Sequence, residues 1–165
     1  MSVFTEEQIQ VLACELNHAE KTRTQVEHFS KRFPGMTIED GYRINRAWMA
    51  LKLSEDRTVI GHKIGCTTPV MRKFLNIGSP CAGDMFSKSC FPEKAVIKRA
   101  DYLRPGVECE IAIILGNDIP AVGPPPTLAS VTNAVGAVMA AIEIVDDRYA
   151  DYRTLGVETL IADNF

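Results

Sequence analysis

The stretch that decides the fold is Val107-Glu-Cys-Glu-Ile-Ala-Ile-Ile-Leu115, which ends at the turn residues Gly116-Asn-Asp118. A run of apolar and β-branched residues closed by such a turn signal predicts a strand. Because side chains alternate along a strand, Glu108 and Glu110 would share one face. The other face would carry no charge and would consist of Val107, Cys109, Ile111 and Ile113.

The two carboxylates lie beside apolar residues, where like charges are costly unless a cation or a strong donor compensates them. A third isolated carboxylate, Glu143, lies within the apolar segment Ala140-Ala-Ile-Glu-Ile-Val145. Three carboxylates in apolar strands would suit a hard divalent cation, Mg²⁺ or Mn²⁺. The spacing alone leaves a second interpretation open, in which Glu108 and Glu110 face solvent on an edge strand and Glu143 pairs with an arginine.

A second candidate for chemistry lies in the segment Gly61-His-Lys-Ile-Gly65, which is predicted to be a short strand bounded by glycines. The amine of Lys63 would be held rigidly there and could stabilise negative charge or transfer a proton. The alternative is an ordinary surface lysine. On a regular strand, His62 would point the opposite way.

The order of elements along the chain predicts the fold class. The first third is predicted to be helical, with a capping-box spacing at Thr5 and Gln8 and a further helix beginning at Thr37. Thr68-Pro69 is a third helix start. The remaining elements are predicted to be strand-like pieces around 84–91 and 95–100, a helix from 128 to about 137, and a strand over 138–145. Helices first and strands later favour α+β over a regular doubly wound sheet.

Composition excludes several classes of protein. The 165 residues are 46% apolar and 24% charged, with a formal charge of −3, which is typical of a single globular domain and not of a nucleic-acid or anionic-membrane binder. Five cysteines without CxxC spacing argue against a disulfide framework and a zinc ribbon. The sequence has no signal peptide, membrane-length apolar run, P-loop or GxGxxG motif, so a cytoplasmic protein that binds no nucleotide is expected.

Four motifs, in this order, resemble the fumarylacetoacetate hydrolase superfamily, and within it the branch of 2-keto-4-pentenoate hydratases and oxalocrotonate decarboxylases. They are Pro34-Gly-Met-Thr-Ile-Glu-Asp-Gly-Tyr42, Gly61-His-Lys-Ile-Gly-Cys-Thr67, Gly106-Val-Glu-Cys-Glu-Ile-Ala112, and Ala141-Ile-Glu-Ile-Val-Asp-Asp-Arg148 with Ala162-Asp-Asn164. The resemblance implies a helical region over residues 1–57 and a mixed β-roll over residues 58–165, within one domain overall.

The resemblance also implies a function. Glu108, Glu110 and Glu143 would bind Mg²⁺ or Mn²⁺, and Lys63 would be the active-site lysine. The expected activity is hydration of a small 2-hydroxy-dienoate or 2-oxo-enoate acid in the breakdown of aromatic compounds, by a homo-oligomer. Decarboxylation of an oxalocrotonate-type acid and hydrolytic C–C cleavage are the alternatives within the superfamily.

Two departures from the family pattern accompany the resemblance. Many hydratases carry a catalytic Asp just after the proline that corresponds to Pro80, where this chain has Cys81, so Asp84 is the candidate substitute. Family members also continue well beyond the position of the last motif, so the β-roll is expected to be incomplete. The corresponding alternative function is a catalytically impaired member that serves only as a binding or assembly subunit.

Overall fold

The computed structural model describes residues 2–149, 154 and 156–164. Its helices are α1 (Glu6–Thr22), α2 (Phe29–Arg32), α3 (Ile38–Ser54), α4 (Pro69–Phe74), α5 (Leu128–Ala134) and α6 (Val157–Ala162). Its strands are β1 (Val59–Gly65), β2 (Cys81–Phe86), β3 (Pro105–Leu115) and β4 (Val135–Asp146).

The chain divides into two compact units, each with its own two-stranded antiparallel sheet. Residues 105–146 form one unit, in which β3 pairs with β4, and the rest of the chain forms the other, in which β1 pairs with β2. This mixture of helices and small sheets confirms the predicted α+β class. The β-roll arrangement and the division after residue 57 stay predictions.

The long helices begin where the sequence predicts. The Thr5 side chain accepts a hydrogen bond from the Gln8 backbone, and the Gln8 side chain accepts one from the Thr5 backbone, which completes a capping box. Thr37 and Asp40 form the same arrangement at the start of α3. These caps satisfy backbone N–H groups that a helix leaves without an internal partner.

The core of the larger unit lies between its helices and β2. It is built from apolar residues at helical spacing on α1 and α3, together with the ring of Phe86; its members include Ile9, Leu12, Leu16, Ile44, Trp48, Phe86 and Ala162. Gly41 on α3 is part of a close helix contact, because a Cβ there would lie 2.6 Å from the carbonyl oxygen of Glu158 on α6. Within the described part of the chain, no helix is both long and apolar enough to cross a membrane.

Some predicted elements differ from the structure. The strand-like piece predicted around 84–91 is β2 over Cys81–Phe86, followed by a 3₁₀ turn at Ser87–Ser89. The predicted strand over 95–100 was wrong: the segment is irregular and leads into a 3₁₀ turn at Arg99–Asp101, and Val96 is 93% exposed. The three apolar residues between Lys94 and Lys98 have no paired strand beside them to support an extended run. The helix predicted to about residue 137 ends at Ala134, because Val135 already pairs with Leu115 in the sheet.

Candidate active site

The three predicted metal-binding carboxylates meet on one face of the β3–β4 ribbon. Glu108 is registered directly opposite Glu143, and Glu110 is registered opposite Ala141. Paired residues project to the same side of a sheet, as do residues two apart on one strand, so the three side chains point the same way. Their carboxylate oxygens lie within 4.8 Å of one another, with Glu143 partly buried and the other two exposed.

Apart from the three carboxylates and Asp146, the ribbon is apolar on both faces. Beyond the carboxylates, their face continues with Ala112, Ile114 and Met139, as the alternation predicts. The opposite face carries one charged residue, Asp146 at the end of β4, and is otherwise apolar and largely exposed, with exposed fractions of 76% at Val107, 73% at Ile111 and 72% at Ile142. Three of the four charged residues of this sheet therefore lie together on one face, where they offer the hard oxygen ligands preferred by Mg²⁺.

Lys63 lies on β1 in the other unit and is held against β2. It is registered opposite Gly83, and a Cβ at Gly83 would lie 3.1 Å from Cε and 3.2 Å from Cγ of the lysine. The stem of Lys63 therefore rests directly on the glycine backbone, and a larger residue at position 83 would displace it. The side chain is half-buried, which limits the positions that its amine can reach.

Asp84 and Lys63 occupy opposite faces of the β1–β2 sheet. Asp84 is registered opposite His62, and its Oδ1 lies 2.6 Å from Nδ1 of that histidine. The prediction that His62 points away from Lys63 is confirmed by this register. The catalytic role of Asp84 stays a prediction, and its carboxylate is already engaged by an imidazole.

Cys81 occupies the face that carries Lys63. It is registered opposite Gly65, two residues along from the Lys63–Gly83 pair, so its side chain projects to the same side. Burial raises the pKa of the Cys81 thiol to about 11, with a further contribution from the neighbouring Cys66. The thiol is consequently protonated and neutral at pH 7, unlike a carboxylate at the same position.

Contacts between distant motifs hold this sheet in place. The Tyr42 hydroxyl accepts a hydrogen bond from the Ala82 backbone N–H at 3.1 Å. The Asn164 side chain accepts one from the Asp84 N–H at 2.8 Å and donates one to the Asp84 carbonyl at 2.9 Å. Tyr42 and Asn164 belong to motifs that the sequence singled out, but their partners lie 40 and 80 residues away, so spacing carried no signal of these contacts.

An ion pair connects the last two motif segments. Arg148 donates to Oδ1 of Asp163, whose side chain is fully buried. Burial alone would lower the pKa of Arg148, but the adjacent Asp163 carboxylate outweighs it and holds that pKa above its usual range. The guanidinium therefore stays charged and anchors the residue that immediately precedes Asn164.

Known proteins align with most of this chain. The chain is 37% identical over 138 residues to the 2-oxo-hept-4-ene-1,7-dioate hydratase of Escherichia coli, which covers 84% of this chain and 51% of that protein. It is 30% identical over 157 residues to the 2-hydroxypent-2,4-dienoate hydratase of Pseudomonas putida, which covers 94% of this chain and 69% of that protein. The chain belongs to the hydratase and decarboxylase branch of the fumarylacetoacetate hydrolase superfamily. No family model matches it.

A solved structure of this branch shares the fold. The 4-oxalocrotonate decarboxylase from Pseudomonas putida G7, in complex with magnesium and adipate, superimposes with a TM-score of 0.91 at 24% sequence identity. The match covers 99% of this chain and 61% of the decarboxylase. The chain thus spans about half to two thirds of the length of the branch members that it matches.

Membership of the branch confirms the resemblance that the four motifs indicated. The branch accounts for the order of those motifs but does not assign roles to individual side chains. The roles of Lys63, Asp84, Glu108, Glu110 and Glu143 therefore stay predictions, to be judged on the geometry described above.

Proposed function

We propose that this chain carries the metal-binding and lysine elements of a divalent-metal-dependent hydratase. Its substrate would be a short 2-hydroxy-dienoate or 2-oxo-enoate acid from the breakdown of aromatic compounds. The observation that carries the proposal is the set of three carboxylates, Glu108, Glu110 and Glu143, whose oxygens lie within 4.8 Å of one another.

The donor chemistry of the cluster fits Mg²⁺ or Mn²⁺. Glu108 and Glu143 face each other across the ribbon, and like charges directly opposite in a sheet are destabilising. A divalent cation held by the three side chains would reverse that repulsion, and carboxylate oxygens are the ligands such hard cations favour. When bound, the cation would supply Lewis-acid polarisation of the oxygen atoms of a 2-oxo acid.

Lys63, on the β1–β2 sheet, would stabilise negative charge or transfer a proton. Its stem is fixed over Gly83, so the amine samples few positions, as a proton-transfer group requires. Cys81 shares this face, but its neutral thiol cannot take the part of a general-base carboxylate at pH 7. We therefore assign proton transfer to Lys63, with Asp84 as a second candidate.

Hydration is favoured over decarboxylation by the relatives. Hydratases reach 37% identity, whereas the curated 4-oxalocrotonate decarboxylase of Pseudomonas putida is 27% identical. Decarboxylation is the second candidate, supported by the similarity to that decarboxylase over 96% of this chain. We also propose a homo-oligomer, since Val107, Ile111 and Ile142 share one face of the ribbon and are 72% to 76% exposed, and clustered exposed apolar residues mark interaction surfaces.

The test is turnover of 2-hydroxypenta-2,4-dienoate by the purified chain with MgCl₂, followed by the loss of dienol absorbance in the ultraviolet. Hydration predicts loss of absorbance that requires the metal and disappears in Glu108→Gln, while the exposed control Glu93→Gln retains it. Release of CO₂ from 2-oxo-hex-3-enedioate without hydration would favour the decarboxylase. Metal binding without turnover of either acid would contradict both activities.

A further inference from the structure

Among the described residues, one edge of β2 is paired by side chains instead of a strand. β1 occupies the other edge, where Lys63 is registered opposite Gly83. In an antiparallel pair, the backbone groups of successive residues point to opposite edges. The N–H of Ala82, and both the N–H and the carbonyl of Asp84, are bound by the side chains of Tyr42 and Asn164. These two side chains thus take the place of a neighbouring strand on the edge away from β1.

Asn164 supplies the larger part of this edge. Its amide accepts from and donates to the same residue, Asp84, at 2.8 and 2.9 Å, which reproduces the paired hydrogen bonds of a strand residue. Only a primary amide carries a donor and an acceptor in this arrangement at neutral pH. An aspartate at position 164 would keep the acceptor and lose the donor.

The backbone delivers this amide from a fixed position. Asn164 follows the C-cap residue of α6 with φ of 56°, in the left-handed region that asparagine tolerates better than most residues. The preceding residue, Asp163, is buried and paired with Arg148. Both features restrict the directions that the Asn164 side chain can take.

The same amide borders the stem of Lys63. A Cβ on Gly83 would lie 2.9 Å from Oδ1 of Asn164 and 3.1 Å from Cε of Lys63. The amide and the lysine stem therefore lie on the same side of Gly83 and occupy the space that any larger side chain would fill. Loss of the amide would remove the hydrogen bonds that hold β2 beneath Lys63 and would also leave space beside the lysine stem.

We propose that Asn164 is a positioning residue for Lys63: by completing the free edge of β2 at Asp84, it fixes the strand on which the lysine stem rests. The proposal rests on the proposed function in so far as the positioned amine serves catalysis. Tyr42 has a smaller part in the same arrangement, through its single hydrogen bond to Ala82.

The test measures the chemical reactivity of the Lys63 amine, which requires no turnover. The chain is acetylated with trace acetic anhydride across a pH series, and labelling of Lys63 is divided by that of the exposed Lys94. Asn164→Gly keeps the left-handed backbone and removes the amide. We expect it to raise relative labelling of Lys63 by about threefold or more and to move its pH profile, because a half-buried amine becomes accessible once its supporting strand opens locally.

Matched variants separate positioning from general destabilisation. Asn76→Gly makes the same exchange at another left-handed position, φ of 54°, and is expected to leave Lys63 labelling unchanged. Asn164→Asp is expected to raise the relative labelling of Lys63 by a smaller factor than Asn164→Gly. If Asn164→Gly does not fold, the labelling of Asn164→Asp tests the positioning role in its place. Labelling of Lys63 that matches the wild type in the folded variant, with only a lower melting temperature, overturns the proposal.

Turnover measurements show whether the positioning of Lys63 by Asn164 contributes to catalysis. If the wild type hydrates the dienoate, Asn164→Gly is expected to lower kcat by a larger factor than it changes KM. If the wild type is inactive while Lys63 labelling still depends on Asn164, the proposed hydratase activity fails and the positioning role stands. The two failures are therefore distinguishable.

Discussion

Replacement of Glu108 by glutamine isolates the charge of the acidic cluster, because it keeps the size and shape of the side chain. The three carboxylates have oxygens within 4.8 Å of one another, so each pair repels by about 1 kcal/mol in water. Glu108→Gln removes two of the three pairs. Without a divalent cation, we expect the variant to unfold with an equal free energy, or one higher by up to about 2 kcal/mol.

With Mg²⁺ bound, we expect the wild type to be more stable than the variant. A ligand that binds only the folded state stabilises it by about 2.7 kcal/mol at a concentration of one hundred times Kd. For a chain of this size, each kcal/mol raises Tm by about 2 to 4 °C, so saturating Mg²⁺ should raise the wild-type Tm by about 5 to 11 °C. Glu108→Gln should gain little, because it has lost one of the three charged ligands.

The assay is thermal unfolding with and without MgCl₂, at an ionic strength matched with NaCl so that screening does not differ. Glu93→Gln, at an exposed position outside the cluster, is the control and should show the wild-type response to Mg²⁺. Equal Mg²⁺ stabilisation of the wild type and Glu108→Gln would refute the metal site. A marked destabilisation of Glu108→Gln in the absence of metal would refute the expected repulsion between the carboxylates.

Three further outcomes follow from the sheet that carries Lys63 and from the helix ends. Gly83→Ala would place a Cβ 3.1 Å from Cε of Lys63, so turnover of the dienoate should fall by roughly tenfold to a hundredfold, and unchanged turnover would contradict the contact. Burial raises the pKa of the Cys81 thiol to about 11, and Cys81→Asp would put a carboxylate in its place on the face that carries Lys63. Turnover at pH 7 should rise by roughly tenfold, because the carboxylate can accept a proton. A loss of turnover would exclude that face from proton transfer. The Lys21 ammonium and a hydrogen bond from Asn17 lower the pKa of Glu55 from 4.5 to about 2, so its stabilisation is complete above pH 4.5 and is lost as pH falls toward 2. Glu55→Gln should therefore cost roughly 1 kcal/mol in urea unfolding at pH 7 and nothing below pH 2, and a cost that does not change with pH would contradict this.

The local parts of this fold follow from neighbouring residues. Helix starts at Thr5, Thr37 and Thr68 depend on a side chain and a backbone group three residues apart, and the structure confirms all three. The common direction of Glu108 and Glu110 follows from strand alternation alone. Such features are encoded within a few residues and need no knowledge of the tertiary structure.

The parts that sequence reasoning missed depend on register between distant segments. Glu143 could be singled out as an isolated carboxylate, but only pairing of β3 with β4 places it opposite Glu108. The amide of Asn164 reaches Asp84 across 80 residues, and no periodicity reports such a contact. The strand predicted around Val96-Ile97 was wrong for a related reason, since a segment of strand-like composition forms no strand without a partner strand to bond.

The close helix contact at Gly41 means that a substitution outside the β1–β2 sheet can resemble an active-site defect. A methyl group at position 41 would collide with the Glu158 carbonyl of α6, and α6 is the helix whose end presents Asn164. Displacement of that helix by a few tenths of an ångström would be transmitted to the edge of β2. A variant at Gly41 could thus lose function with its helices intact, and genetic screens would register position 41 as functional although it contacts no reacting group.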